Sequence, residues 1–218
     1  MSISKVASPP IEPIDLAQEL GPQGVREILE IMWLSYHDMN AAQIVVVGLT
    51  ENQITEKWFM YLQKRWFSEN RATYLRCRLS PVLQHPDLKQ AKPKGGEPTI
   101  DFCFRTWDPD DRYFGAECKI LEAGNGALSQ RYINTGIKNY TTGRYGSSCT
   151  ESAIIGYILK GSISEIVSDI CKRLKTEKPI QTLLRDMTFE DPHYKSLHLR
   201  TLDSKKIILH HLMFSMTT

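Results

Sequence analysis

From Thr99 to Thr106 apolar and polar residues alternate: Ile100, Phe102 and Phe104 take one side, Asp101, Cys103 and Arg105 the other. A two-residue period marks a strand lying half-buried in a sheet. The following WDPDDR, with Pro109 set among aspartates, is a turn signal. Alternation resumes at Tyr113. Phe114, Ala116, Cys118 and Ile120 share an apolar face, and Glu117 and Lys119 project side by side from the opposite one. Residues 98–121 are therefore expected to form a two-stranded hairpin.

Elsewhere the period lengthens to that of a helix. Residues 24–39 carry Val25, Ile28, Leu29, Met32 and Trp33 on one stripe. Thr50, followed by Glu51, Asn52 and Gln53, has the pattern of an N-cap with an acidic first turn. It opens a helix to about residue 67 that buries Ile54, Trp58, Phe59, Tyr61, Leu62 and Trp66. The apolar run 41–49 between them admits a buried strand or the end of a second helix, with helix or irregular chain preferred. Residues 73–79 alternate and predict the first core strand; 81–96, with Pro86, Pro93 and Gly95-Gly96, predicts a loop. After the hairpin, AGNGALS is a glycine loop leading into a helix, and residues 153–161 predict a buried strand reached by a helical crossover. Ser162 or Ser164 caps a further helix to about residue 175. A linker follows, with a short helix expected at 180–185, then a closing hairpin of 194–201 and 205–214. Pro9, Pro10, Pro13 and Pro22 predict that residues 1–23 form an extended arm, leaving 24–218 as one domain.

Composition narrows the class. The chain has 218 residues, 41% hydrophobic and 24% charged, enough for one sizeable core and ordinary for a globular protein. No apolar run is long enough to span a membrane, and no signal-peptide pattern opens the chain, so a membrane partner is not expected. The five cysteines are widely spaced without a C-x-x-C pair, which argues against a structural zinc site and for the cytoplasm.

The net charge of +2 hides segregation. Acids dominate the first fifty residues, and bases cluster later, as in Lys172, Arg173, Lys175 and Lys178. The tract 130–146 contains Arg131, Tyr132, Lys138, Tyr140, Arg144 and Tyr145 and no acid. Cations interleaved with rings suit a nucleic acid, through phosphate contacts and base stacking. The alternative places the tyrosines in the core and the bases in solvent. His198 and Arg200 share a strand face, where they position a phosphate or line the sheet edge.

A carboxylate and an ammonium on one face of a buried strand need pairing or a metal. Asp101 and Glu117 supply two oxygen ligands for a hard divalent cation, with Lys119 beside them. The pattern P-x-x-D, hairpin, E-x-K, carried by Pro98, Asp101, Glu117 and Lys119, resembles the PD-(D/E)xK nuclease superfamily. The resemblance covers roughly residues 51–175. It implies an α/β (α+β) fold: a restriction-endonuclease-like αβββαβ core with a central mixed sheet flanked by helices. It further implies magnesium or manganese held by Asp101 and Glu117, and a catalytic Lys119 that orients or activates water.

In that family the first core helix often lends a glutamate to the metal site, which implies a third catalytic carboxylate that completes the metal's shell through a water. Glu51, whose LTENQIT setting resembles that of some members, is preferred to Glu56; the alternative is that Glu51 only satisfies the helix dipole. Arg131, Tyr132, Lys138, Arg144 and Tyr145 become the nucleic-acid contacts, with Arg131 and Tyr132 near the metal. DNA is favoured over RNA because most of the superfamily acts on DNA. A restriction-like or antiviral defence effector is implied, restrained by homo-oligomerisation or a regulatory protein. The competing class is a non-catalytic binding or assembly subunit with a nuclease fold; an RNA-directed nuclease is a third reading.

Overall fold

The computed structural model describes residues 15–69, 73–87, 98–107, 112–146, 149–176 and 182–216. Seven strands form one mixed sheet: β1 (Leu79–Pro86), β2 (Thr99–Thr106), β3 (Tyr113–Glu122), β4 (Glu151–Lys160), β5 (Leu184–Arg185), β6 (His193–Leu199) and β7 (Lys206–Ser215), in spatial order β1-β2-β3-β4-β7-β6-β5. β1, β2 and β3 run antiparallel as a meander. β3, β4 and β7 are mutually parallel neighbours, and β7, β6 and β5 turn antiparallel again.

Helices cover both faces. α1 (Leu16–Ala41) and α2 (Glu51–Ser68) pack on one, where Trp58 meets Phe102 edge-on and Trp66 tilts against Phe104. The other face carries α4 (Gly126–Arg131), which continues through a π-helical turn (Tyr132–Ile137) into α5 (Lys138–Thr141), and α6 (Ile163–Leu174). The short α3 (Thr73–Arg76) leads into β1. Both parallel pairings need crossovers, which α4–α5 and α6 supply. Among the described residues no helix is long and apolar enough to cross a membrane.

Several expectations hold. Residues 24–39 are helical, 42–49 are irregular, β4 is almost wholly buried, and the closing hairpin is β6–β7. Ser162 closes a capping box with Glu165 at the start of α6.

Four readings need correction. Helix α1 begins at Leu16, inside the expected arm, with Leu16 and Ala17 in the core. Proline does not prevent this, because Gly21, at φ 65°, breaks the helix and Pro22 then starts a new turn, where a missing N–H costs nothing. Residues 1–14 lie outside the described residues. Thr73–Arg76 is a helical turn, and the first strand instead begins at Leu79 and runs through Pro81. β1 lies at the sheet edge, where a strand tolerates proline. Ile100 packs with the cluster opposite that of Phe102 and Phe104. The alternation breaks at Asp101, whose register partner on β1, Gln84, has φ 51° and drops out of the ladder. Finally, Leu184–Arg185 pairs with β6 as a two-residue strand where a helix was expected; residues 177–181 lie outside the description.

Candidate active site

The β2–β3 ladder stops at Phe102↔Ala116. Beyond it β2 stays with β1, through His85↔Ile100 and Pro86↔Thr99, while β3 continues alongside β4. The two strands therefore part, and backbone N–H groups of β3 lose their ladder partners. Unpaired buried amides are costly. Two carboxylates replace the missing strand: the Cys118 N–H donates to Asp101 Oδ2 at 2.7 Å, and the Ile120 N–H donates to Glu51 Oε2 at 3.0 Å. Asp101 thus reaches β3 from the diverging strand and Glu51 from the start of α2.

Glu51 is placed by the helix start. Thr50 and Gln53 form a reciprocal capping box, with the Thr50 N–H donating to Gln53 Oε1 at 2.9 Å. That box makes Glu51 the first helical residue, while Glu56 is exposed further along. Glu51, not Glu56, is at the site.

Lys119 lies at the centre. Its Nζ donates to Glu117 Oε1 at 2.8 Å, to Glu51 Oε1 at 3.2 Å and to the Cys118 carbonyl at 2.6 Å, and pairs with Asp101 Oδ2 at 3.7 Å. Glu117 and Lys119 are buried, at 5% and 4% exposure. Cys118 points to the reverse face, into the core beside Tyr157. Three carboxylates face one buried ammonium and the exposed Arg131, whose Nη2 donates to Glu51 Oε1 at 3.0 Å.

The electrostatics follow. Burial, with Asp101 next, pushes the Glu117 carboxyl up to about 8, against the pull of Lys119. Burial also raises Asp101. Lys119 is raised despite its own burial, because Glu117, Asp101 and Glu51 surround it.

The aromatic residues of the basic tract are not surface rings. Tyr132 is wholly buried and its hydroxyl lies 2.7 Å from His211 Nδ1. Tyr145 is buried against Tyr140 at a ring distance of 5.9 Å, and burial, with Glu117 next, lifts its phenol to about 12. Tyr132 and Tyr145 as base-stacking platforms are therefore corrected to core residues. Arg131 and Arg144 are exposed and Lys138 is half-buried. His198 and Arg200 are likewise buried and structural: Arg200 Nη1 donates to the Gly146 carbonyl at 2.7 Å. No sequence signal distinguishes these rings from surface ones, because their partners lie far along the chain.

Donor chemistry partly fits a divalent cation. Glu117 Oε2 is buried without a hydrogen-bond partner, and carboxylate oxygens suit a hard ion. However, Glu51 Oε2 is committed to Ile120, and among the described residues no group of three or more His, Cys, Asp or Glu forms a metal-holding cluster. Comparison with family models, with curated proteins and with solved structures finds no match to this chain.

Proposed function

We propose that the protein is a divalent-metal-dependent nuclease that hydrolyses phosphodiester bonds, with DNA favoured over RNA. One observation carries the reading: Glu51, Asp101, Glu117 and Lys119, from three separate elements, meet where β2 parts from β3. The element order of α2, β1–β3, the α4–α5 crossover and β4 supports the resemblance to the restriction-endonuclease-like core.

Asp101 and Glu117 are the residues that would hold magnesium or manganese, which when bound stabilises charge on the scissile phosphate. Glu51 acts by position: it ties Ile120 of β3 to α2 and holds Lys119 and Arg131. Lys119 provides a fixed positive charge and proton donor at Nζ. Arg131, exposed at the rim, is the residue that meets a phosphate from solvent. A biological role in defence, and restraint by a partner or by self-association, extends this proposal.

A second reading is a nucleic-acid-binding or assembly subunit without turnover. It is favoured by the closure of the site, since the Lys119 ammonium already pairs with one oxygen each of Glu51, Asp101 and Glu117. Circular DNA, linear DNA and RNA incubated with magnesium or manganese, with and without EDTA, separate the two. Cleavage that is lost with EDTA and lost in both Asp101→Asn and Glu117→Gln supports the nuclease. Binding without cleavage supports the subunit.

A further inference from the structure

Away from the β2–β3 cleft, a cavity of about 250 Å³ opens between α1 and the C-terminal strands. Its apolar walls include Val25, Leu29, Phe189 and Ile208, and its polar lining includes Glu151, Arg26 and Lys195. Behind Glu151 runs a chain of buried donors. Trp33 Nε1, which can only donate, gives its hydrogen to His193 Nδ1 at 3.3 Å. The hydrogen of neutral His193 is therefore on Nε2 and faces His210 Nδ1 at 3.0 Å. His210 in turn must carry its hydrogen on Nε2, which donates to Glu151 Oε2 at 2.8 Å. Each link has one allowed direction, so the relay ends on Glu151 Oε2, and Glu151 itself lines the cavity. Phe189 is held in place by stacking on His193 at 4.3 Å.

The two cations are differently built. Arg26 and Lys195 are nearly half exposed, at 49% and 44%, and each pairs with a carboxylate of its own, Glu30 and Asp186, at 2.8 Å. Both cations are thus ion-paired near the surface, while Glu151 is held by a buried imidazole. A ligand that satisfies this lining carries a cationic donor for Glu151, an anionic group for Arg26 or Lys195, and a compact apolar body. The cavity is smaller than the roughly 300–1,000 Å³ of pockets that take drug-sized ligands, which disfavours a nucleotide.

We propose that this cavity binds a small zwitterion of the amino-acid class with an apolar side group: its ammonium on Glu151, its carboxylate on Arg26 or Lys195, its side group against Leu29 and Phe189. The proposal is independent of the nuclease reading, since no residue of the cavity belongs to the cleft.

The test is titration of the full-length protein with leucine, methionine and phenylalanine, followed by ligand-observed NMR. N-acetyl-leucine, leucinamide and guanosine monophosphate are run beside them. Saturable binding of at least one apolar amino acid is expected, weakened by about tenfold or more when either the amine or the carboxylate is blocked. Glu151→Gln, which still accepts from His210, should weaken binding of the free amino acid by a similar factor. Should that variant not fold, Arg26→Ala with Lys195→Ala, the first exposed and the second half-buried, should weaken leucine but leave leucinamide unchanged. Absence of saturable binding, equal binding of the blocked forms, or preference for the nucleotide would overturn the proposal.

Discussion

Lys119 Nζ lies 2.8 Å from Glu117 Oε1 and 3.2 Å from Glu51 Oε1, so strand β3 and helix α2 share one buried cation. The motif lysine is thus a structural keystone as well as a candidate catalytic group. Removing it leaves Glu51, Asp101 and Glu117 facing one another. Breaking a buried pair by deleting one partner costs about 3–5 kcal/mol. Lys119→Ala is expected to lose stability of that order in urea unfolding, less at acid pH, where the carboxyls neutralise. Under the nuclease reading, magnesium should restore part of its melting temperature, and cleavage should remain abolished. Wild-type stability together with wild-type cleavage in this variant would remove Lys119 from both roles.

Glu117 sets a stability trend on its own. Its carboxyl is raised from 4.5 to about 8, so between those values the native state holds a proton that the unfolded chain has released. Stability from this group therefore falls as pH rises through the window, by up to about 1.4 kcal/mol per pH unit. Glu117→Gln should flatten that fall and be relatively more stable on the alkaline side. Urea unfolding of both proteins at about pH 6 and about pH 8.5 checks the sign; a variant that tracks wild type at both would refute it.

The histidines act in the opposite sense. His193 is lowered to about 2 and His198 to about 4 by burial, and His210 and His211 are lowered too, chiefly by burial. Below the ordinary value of 6.5 the unfolded chain takes up protons that these four native rings refuse. Stability should therefore fall on acidification from about pH 6.5, each ring contributing up to about 1.4 kcal/mol per unit. Thermal melts over about pH 4–7 test this. Ser196→Ala, which strips His198 and His211 of a shared hydroxyl at 2.5 Å and 2.7 Å, should lower the whole curve by about 1–3 kcal/mol.

The start of α2 can be tested without touching a charge. Thr50→Ala removes the hydroxyl that accepts the Gln53 N–H at 3.4 Å and should cost about 1 kcal/mol. Because Glu51 follows directly, the same change should loosen its contact with Ile120. Hydrogen exchange at the Ile120 amide is expected to quicken more than that at Cys118, which relies on Asp101. Equal protection in wild type and variant would separate the cap from the site.

What the sequence determined by itself was local. A period of two marks β2 and β3 and puts Glu117 and Lys119 on one face, and the Thr50–Gln53 pattern begins α2 where Glu51 must stand. Those signals depend on neighbouring residues alone, through pleat geometry and helix-end hydrogen bonding. The tertiary structure decided the rest. It set where β2 abandons β3, so that carboxylates instead of a strand meet the Cys118 and Ile120 amides. It made β1 an edge that accepts Pro81, and it buried Tyr132 against His211, 79 residues away. An exposed tyrosine and a buried one look alike along the chain, because burial is set by which distant residues fold against the ring.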